Sequence, residues 1–195
     1  YNTLRICRPN YHTFEELESE IQWLLNIDDV NICKPISKNG EYVKKINDCY
    51  CTMYKYIDGI ADVEIEGNEN LYIEIGRIAG LLHKNTIEKP FNAIRPKWSM
   101  ENLIGKNGLW GDWRKTTALN NPQKDIVEKT CTKIYEKLAN YKTDKYGLIH
   151  IDLRLTNIIV GKTTGVIDFD DCGYGYFMQD LASSVSFLEN SPQLS

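Results

Sequence analysis

The chain is 195 residues long with 42 % hydrophobic content, enough apolar material for one large or two small packed domains. Its net charge of −4 argues against nucleic acid as the main partner, because binding along a phosphate backbone needs a basic stripe. No apolar run approaches the roughly 18 residues of a membrane helix, and six cysteines with neither zinc nor redox spacing read as reduced thiols of a cytoplasmic protein with no membrane partner.

Tyr1 is not an initiator methionine and the last amphipathic segment stops at SPQLS, so the chain is expected to be a piece of a longer protein. Residues 3–7 (TLRIC) alternate as a strand, with Arg5 pointing away from Leu4 and Ile6. Thr13 followed by Glu16 is a capping box, which starts a helix at Phe14. At helical spacing Phe14, Leu17, Ile21, Leu24 and Leu25 form one stripe, and Glu20 lies at its edge, able to turn inward toward the sheet. Arg5 and Glu20 also read as ordinary surface charges, and the pattern alone leaves this open. Asn39-Gly40 marks a hairpin turn between segments near 32–37 and 41–45. Residues 49–57 (CYCTMYKYI) are strand-like and are closed by a turn at Asp58-Gly59.

The pattern then becomes helical. Leu71, Ile75, Ile78, Ala79 and Leu82 predict an amphipathic helix over 69–84, ended by His83, which reads as a packed or capping histidine rather than a ligand. Residues 86–120 are the least regular, with Trp98, Trp110 and Trp113 among glycines. They read either as a segment closing over a ligand or as short helices packed by aromatic anchors. Asn121-Pro122 opens a helix to about Asn140, with Ile126, Val127, Cys131, Ile134 and Leu138 on its apolar face. A loop at Gly173 and Gly175 leads to a last helix with Phe177, Leu181, Val185 and Leu188.

Between these two helices lies the stretch that carries chemistry, residues 147–171, GLIHIDLRLTNIIVGKTTGVIDFDD. Short buried strands are expected at Leu148-Ile149, Ile158–Val160 and Val166-Ile167, with polar residues at their ends. If the last two strands pair around Gly161 to Gly165, Asn157 and Asp168 meet at one open end. Phosphoryl transfer from a nucleotide needs a carboxylate near the attacking hydroxyl, oxygen ligands for Mg²⁺ and cations facing the phosphates. Mg²⁺ takes only one or two protein groups and keeps waters, so an Asn and an Asp are enough.

HIDLRLTN followed by VIDFD resembles the catalytic loop and metal motif of the aminoglycoside phosphotransferase and choline kinase-like family, relatives of the protein kinases. The resemblance implies an α+β, protein kinase-like two-lobe fold truncated at both ends. Residues 1–57 would form a partial N-terminal lobe of sheet and one helix, and residues 58–195 a partial, mostly helical C-terminal lobe. It implies Asp152 as catalytic base, Asn157 and Asp168 as metal ligands, and Arg154 near the γ-phosphate. Arg5 matches the cation on the α and β phosphates and Glu20 its helix partner, while Met53 to Ile57, including Tyr54 and Tyr56, match the hinge that holds adenine. His150 would hold the loop, and Asp180 in GYGYFMQDLA would brace it. Asp170 would support the metal or the turn, and Asp171 would simply solvate the turn. ATP and Mg²⁺ are the implied cofactors and a small-molecule hydroxyl the acceptor, such as an aminoglycoside, choline or a homoserine-like compound. A Ser/Thr protein kinase is the alternative. Two weaker readings remain, a DxD nucleotide-sugar glycosyltransferase at Asp168-Phe169-Asp170 and a non-catalytic kinase-like module. No glycine-rich phosphate loop precedes Arg5, and the helices that wall the family's acceptor pocket are absent. Oligomeric state is not legible.

Overall fold

The alternation of the first residues becomes β1 (Asn2–Ile6), which runs antiparallel to β4 (Cys49–Lys55) with Arg5 opposite Thr52. The structure, a computed structural model, describes residues 1–61 and 70–186. The capping box forms in full at the start of α1 (Phe14–Asn26), where the Glu16 N–H donates to Thr13 Oγ1 at 3.2 Å and the Thr13 N–H to Glu16 Oε2 at 2.9 Å. The stripe differs from expectation at its rim. Leu17, Ile21 and Leu24 are buried together with Glu20 and Trp23, whereas Phe14 and Leu25 are exposed. The buried arc is centred on Leu17, Glu20 and Leu24, which carries Glu20 fully inside and leaves Phe14 and Leu25 at the edge.

The Asn39-Gly40 turn is present, with both residues at positive φ (56° and 84°) as a type I′ turn requires. Its flanks do not pair as one long hairpin, because only Lys38 and Glu41 bridge across it. Residues 34–36 follow the edge of β4 instead, with the Lys55 N–H donating to Lys34 O and the Ile36 N–H to Met53 O. Beyond the turn, β3 (Val43–Ile46) pairs with β4, giving the sheet order β1-β4-β3. The short β2 (Asn31–Ile32) leaves this sheet and lies parallel to β7 (Gly165–Val166), itself antiparallel to β6 (Ile158–Ile159). The expected hairpin of the central stretch therefore forms, and the early chain adds a strand to it.

α2 (Asn70–Glu88) buries Ile75, Ile78, Ala79 and Leu82 as the periodicity predicts, and residue 69 lies outside the described residues. It does not end at His83. That side chain is packed, with Nε2 2.8 Å from Asp180 Oδ2 and its ring stacked on Phe177 at 4.3 Å, and the helix continues past it. β5 (Tyr146–Ile149) and β8 (Gly173–Tyr176) form a two-stranded sheet, so Gly173 and Gly175 belong to a strand rather than a loop. Gly175 is closely approached there by side-chain ends, since a Cβ would lie 2.5 Å from Ile149 Cδ1 and 2.3 Å from Gln179 Oε1 and would displace both. α5 (Met178–Val185) turns Asp180 and Ser184 inward and leaves Leu181 and Val185 exposed, so of the described residues of the expected apolar face only Phe177, just before the helix, is buried. Leu188 lies outside the described residues.

The chain divides into two compact units, Tyr1–Pro96 with Gly147–Ser195, and Lys97–Tyr146. Within the first unit one core is shared: Leu17, Ile21 and Leu24 of α1 pack in one cluster with Ile78 and Leu82 of α2 and with Ile158 and Val166 of the hairpin. In the second unit, α3 (Met100–Ile104) is capped by Ser99 and is followed by a 3₁₀ turn at Trp113–Lys115. The Trp98 and Trp110 rings pack at a tilt of 38° with centroids 4.8 Å apart, and Trp113 Nε1 donates to Ile104 O at 3.2 Å, as aromatic anchors among short helices would. α4 (Asn121–Ala139) starts one residue earlier than the cap reading. Asn120 is the cap, in a box with Gln123, and of the expected face only Cys131 is buried while Ile126 and Ile134 are exposed. All six cysteines are free thiols. Among the described residues no helix is long and apolar enough to cross a membrane.

Candidate active site

Three residues far apart in sequence converge beside β1. Arg5 Nη2 lies 2.9 Å from Glu20 Oε2, and the Tyr54 hydroxyl donates to Glu20 Oε1 at 3.0 Å. The Arg5 guanidinium also sits 5.2 Å from the centre of the Tyr54 ring. Glu20 is 1 % exposed, so the surface-charge reading of this pair does not hold. A carboxylate that deep is tolerable only when its oxygens are satisfied, and here both are. Burial works against the Arg5 charge, but the Glu20 carboxylate beside it outweighs this and leaves the pKa raised. Burial and the same carboxylate push the Tyr54 phenol well up, so it stays a donor.

A cavity of about 470 Å³ opens next to this group and is lined by Arg5, Glu20, Tyr54, Tyr56 and Asp168, with Leu4, Ile57, Ile159 and Ile167 as apolar walls. Its size and its mix of apolar walls with a few convergent charges are those of a small-ligand site. Met53, expected at the adenine position, does not line it. On β4, Met53 instead pairs with Leu4 of β1, and its carbonyl accepts from the Ile36 N–H at 2.8 Å.

The loop after β5 is strained and braced. Ile151 has φ 68°, a costly conformation for a β-branched residue, of the order of 1–3 kcal/mol. Asp180 holds it there: Oδ1 accepts from the Ile151 N–H at 2.7 Å and Oδ2 from the His150 N–H at 3.3 Å, and the residue is fully buried. His150, also fully buried, has Nε2 3.0 Å from Ile167 O and its ring against Phe169 at 4.4 Å. It thus lies between the loop and the strand end that leads to Asp168.

Asp152, Asn157 and Arg154 form one connected group. Asn157 Nδ2 donates to Asp152 O at 2.8 Å and to Asp152 Oδ2 at 3.0 Å, and Arg154 Nη2 is 2.9 Å from the same Oδ2. Both Asn157 bonds use its amide nitrogen, which leaves the side-chain oxygen, the atom a cation takes, outside them. Register pairs Ile158 with Val166, and the Ile167 N–H donates to Asn157 O at 3.0 Å, so Ile167 lies opposite Asn157 and Asp168 is the next residue at the same end of the hairpin. Asp168 is a solvent-accessible residue at φ 67°. Protein around its carboxyl nonetheless withdraws water from it, and the charges of Asp170 and Asp152 add to this, pushing it up to about 7. A cation among these acids would relieve that repulsion. Among the described residues no three His, Cys, Asp or Glu side chains gather into a metal cage, whereas an Asn oxygen and an Asp at one hairpin end suit a cation that keeps its waters, as Mg²⁺ does.

Asp171 does not merely solvate the turn, since the Tyr11 hydroxyl donates to its Oδ1 at 2.7 Å. Burial and that carboxylate push the Tyr11 phenol up to about 12. Sequence reasoning also missed Arg95, which is 7 % exposed and donates to backbone carbonyls of Glu16, Asp170 and Cys172. The available signal was an arginine directly after the mostly apolar segment FNAI, held extended by the following Pro96.

The model of the family described as "Phosphotransferase enzyme family" matches residues 3–194. Amicoumacin kinase of Bacillus subtilis (strain 168) is 26 % identical over 92 % of this chain and 54 % of its own length. A solved structure of a microcompartment-associated aminopropanol kinase superposes with a TM-score of 0.84 at 28 % identity, over 98 % of this chain and 64 % of that one. The amicoumacin kinase hAmiN, solved with AMP-PNP, Ca²⁺ and Ami, superposes with a TM-score of 0.76 at 23 % identity, over 98 % of this chain and 58 % of that one. The fold is thus that of the protein kinase-like phosphotransferases, and the chain spans a little over half the length of the curated relative.

Proposed function

Because the chain belongs to the phosphotransferase enzyme family, we propose that the whole protein is an ATP- and Mg²⁺-dependent kinase that phosphorylates a hydroxyl group of a small molecule. The observation that carries this reading is the meeting of Asp152, Asn157 and Asp168 on one braced loop and hairpin, in the same compact unit as the cavity holding Arg5 and Glu20. Relatives named for kinase activity on amicoumacin and aminopropanol support a small-molecule acceptor.

In this reading Asp152 accepts the proton of the acceptor hydroxyl, and its ion pair with Arg154 keeps the carboxylate aimed. Asn157 and Asp168 would hold Mg²⁺, which supplies positive charge against the phosphates when bound. Arg5, fixed by Glu20, presents a permanent cation to the cavity. Tyr54 and Tyr56 and the backbone between them wall the base. Six free thiols and a need for ATP suit a cytoplasmic location.

The test is an acceptor screen on the whole protein, read as ADP release, with aminoglycosides, choline, homoserine, simple amino alcohols and a generic protein substrate. A response to one small-molecule class and not to protein is expected; a response to protein alone overturns the acceptor class, and consumption of a UDP-sugar overturns the chemistry. In parallel, Asp168→Asn is expected to abolish the Mg²⁺ dependence of ATP binding measured by calorimetry. Unchanged Mg²⁺-dependent binding would remove Asp168 from the metal site.

A further inference from the structure

Residues 91–96 run between α1 and the strand that follows Asp168, and they are tied to both. The Ile94 N–H donates to Ser19 Oγ at 2.8 Å on α1, while the Ala93 N–H donates to the Tyr174 hydroxyl at 2.9 Å and the Tyr174 N–H to Pro96 O at 2.8 Å. Arg95 is the centre of this strap. Its Nε donates to Cys172 O at 2.6 Å, its Nη2 to Asp170 O, and its Nη1 to Glu16 O at 3.3 Å, one helical turn before Glu20. A planar guanidinium can hold three carbonyls from two elements in one fixed arrangement, which an ammonium cannot. A second tie runs in parallel, from the Tyr11 hydroxyl just before α1 to Asp171, with Arg8 stacked 4.0 Å from the Tyr11 ring.

We propose that Arg95 is a positioning residue that locks α1 to the Asp168–Cys172 turn, with Tyr11–Asp171 as its second tie, so that the Arg5–Glu20 pair and the Asp168 carboxylate keep one relative placement. This rests on the reading of the site as a phosphotransferase centre. Arg95 touches no reacting group; it acts through the two elements that carry the phosphate-facing cation and the metal acid. The same two elements also meet in the core, where the buried Trp23 and Phe169 rings lie 5.7 Å apart; Arg95 and Tyr11 add directional hydrogen bonds to this apolar contact.

The experiment compares Arg95→Lys and Tyr11→Phe with wild type in the whole protein. Folded Arg95→Lys is expected to lose about tenfold to a hundredfold in kcat through misplacement of the two halves, with acceptor KM unchanged and more Mg²⁺ needed for half-maximal rate. Tyr11→Phe, which removes one hydroxyl and fits the same space, is expected to lose about fivefold in the same parameters. Amide exchange should show residues 16–20 and 169–172 losing protection together in Arg95→Lys. A folded Arg95→Lys with wild-type kcat and Mg²⁺ dependence overturns the proposal, as does protection lost in only one of the two segments. If Arg95→Lys does not fold, wild-type kinetics in Tyr11→Phe overturn it. Wild-type protein without nucleotide-dependent transfer to any acceptor defeats the phosphotransferase reading instead, and the exchange result still decides whether the two segments are coupled.

Discussion

Asp152→Ala in the whole protein is expected to lower kcat by about 10³-fold while KM for ATP changes by no more than about twofold, because a positioned general base contributes about 10²- to 10⁴-fold. That corresponds to about 3–5 kcal/mol of barrier. The geometry limits the loss to the chemical step. Asp152 does not line the cavity of Arg5, Tyr54 and Asp168, and one of its carboxylate oxygens is held by both Arg154 and Asn157, leaving the other outside those bonds. Asp152→Asn is the companion variant, since it keeps the shape and the hydrogen-bond reach but cannot take a proton at a carboxylate. Single-turnover transfer measured with saturating ATP and acceptor checks both. A rate within tenfold of wild type in either variant would exclude Asp152 as the base.

Asp180→Ala is expected to be the most damaging substitution to the fold, at about 3–5 kcal/mol, because it leaves buried partners without their acceptor. The Ile151 and His150 N–H groups and His83 Nε2 all converge on this one carboxylate, which is fully buried. For a chain of this size the loss amounts to about 10 °C in Tm, read by calorimetry or circular dichroism. Ile151 gives a second consequence. Without Asp180 the Ile151 N–H loses the bond that supports its positive φ, so phosphoryl transfer is expected to fall even below the melting temperature. An Asp180→Ala protein with unchanged Tm would mean that the brace carries no stability.

The loop residues were legible because their chemistry is local. Asp152 and Asn157 are five positions apart on one loop, and Asn157 and Asp168 are brought together by a hairpin whose two short strands and glycine turn stand in the sequence. The capping box of α1 and the type I′ turn at Asn39-Gly40 were readable for the same reason, since each is a bond between near neighbours. The inside face of α5 was not readable. Its buried positions are Asp180 and Ser184, so an apolar stripe pointed the wrong way once the helix had to supply an acceptor rather than grease.

Sequence by itself determined the family, the helices α1, α2 and α4, the strands of the central hairpin and the set of polar residues on that loop and hairpin, because spacing and apolar periodicity encode short-range structure directly. Only the tertiary structure decided that Glu20 is buried against Arg5 and Tyr54, that β2 joins β7, and that Arg95 and Tyr11 tie α1 to the turn after Asp168. These pairings span 15 to 160 positions. A lone arginine, tyrosine or glutamate carries no mark of a distant partner, and its burial is settled by which carbonyl or carboxylate the fold places opposite it.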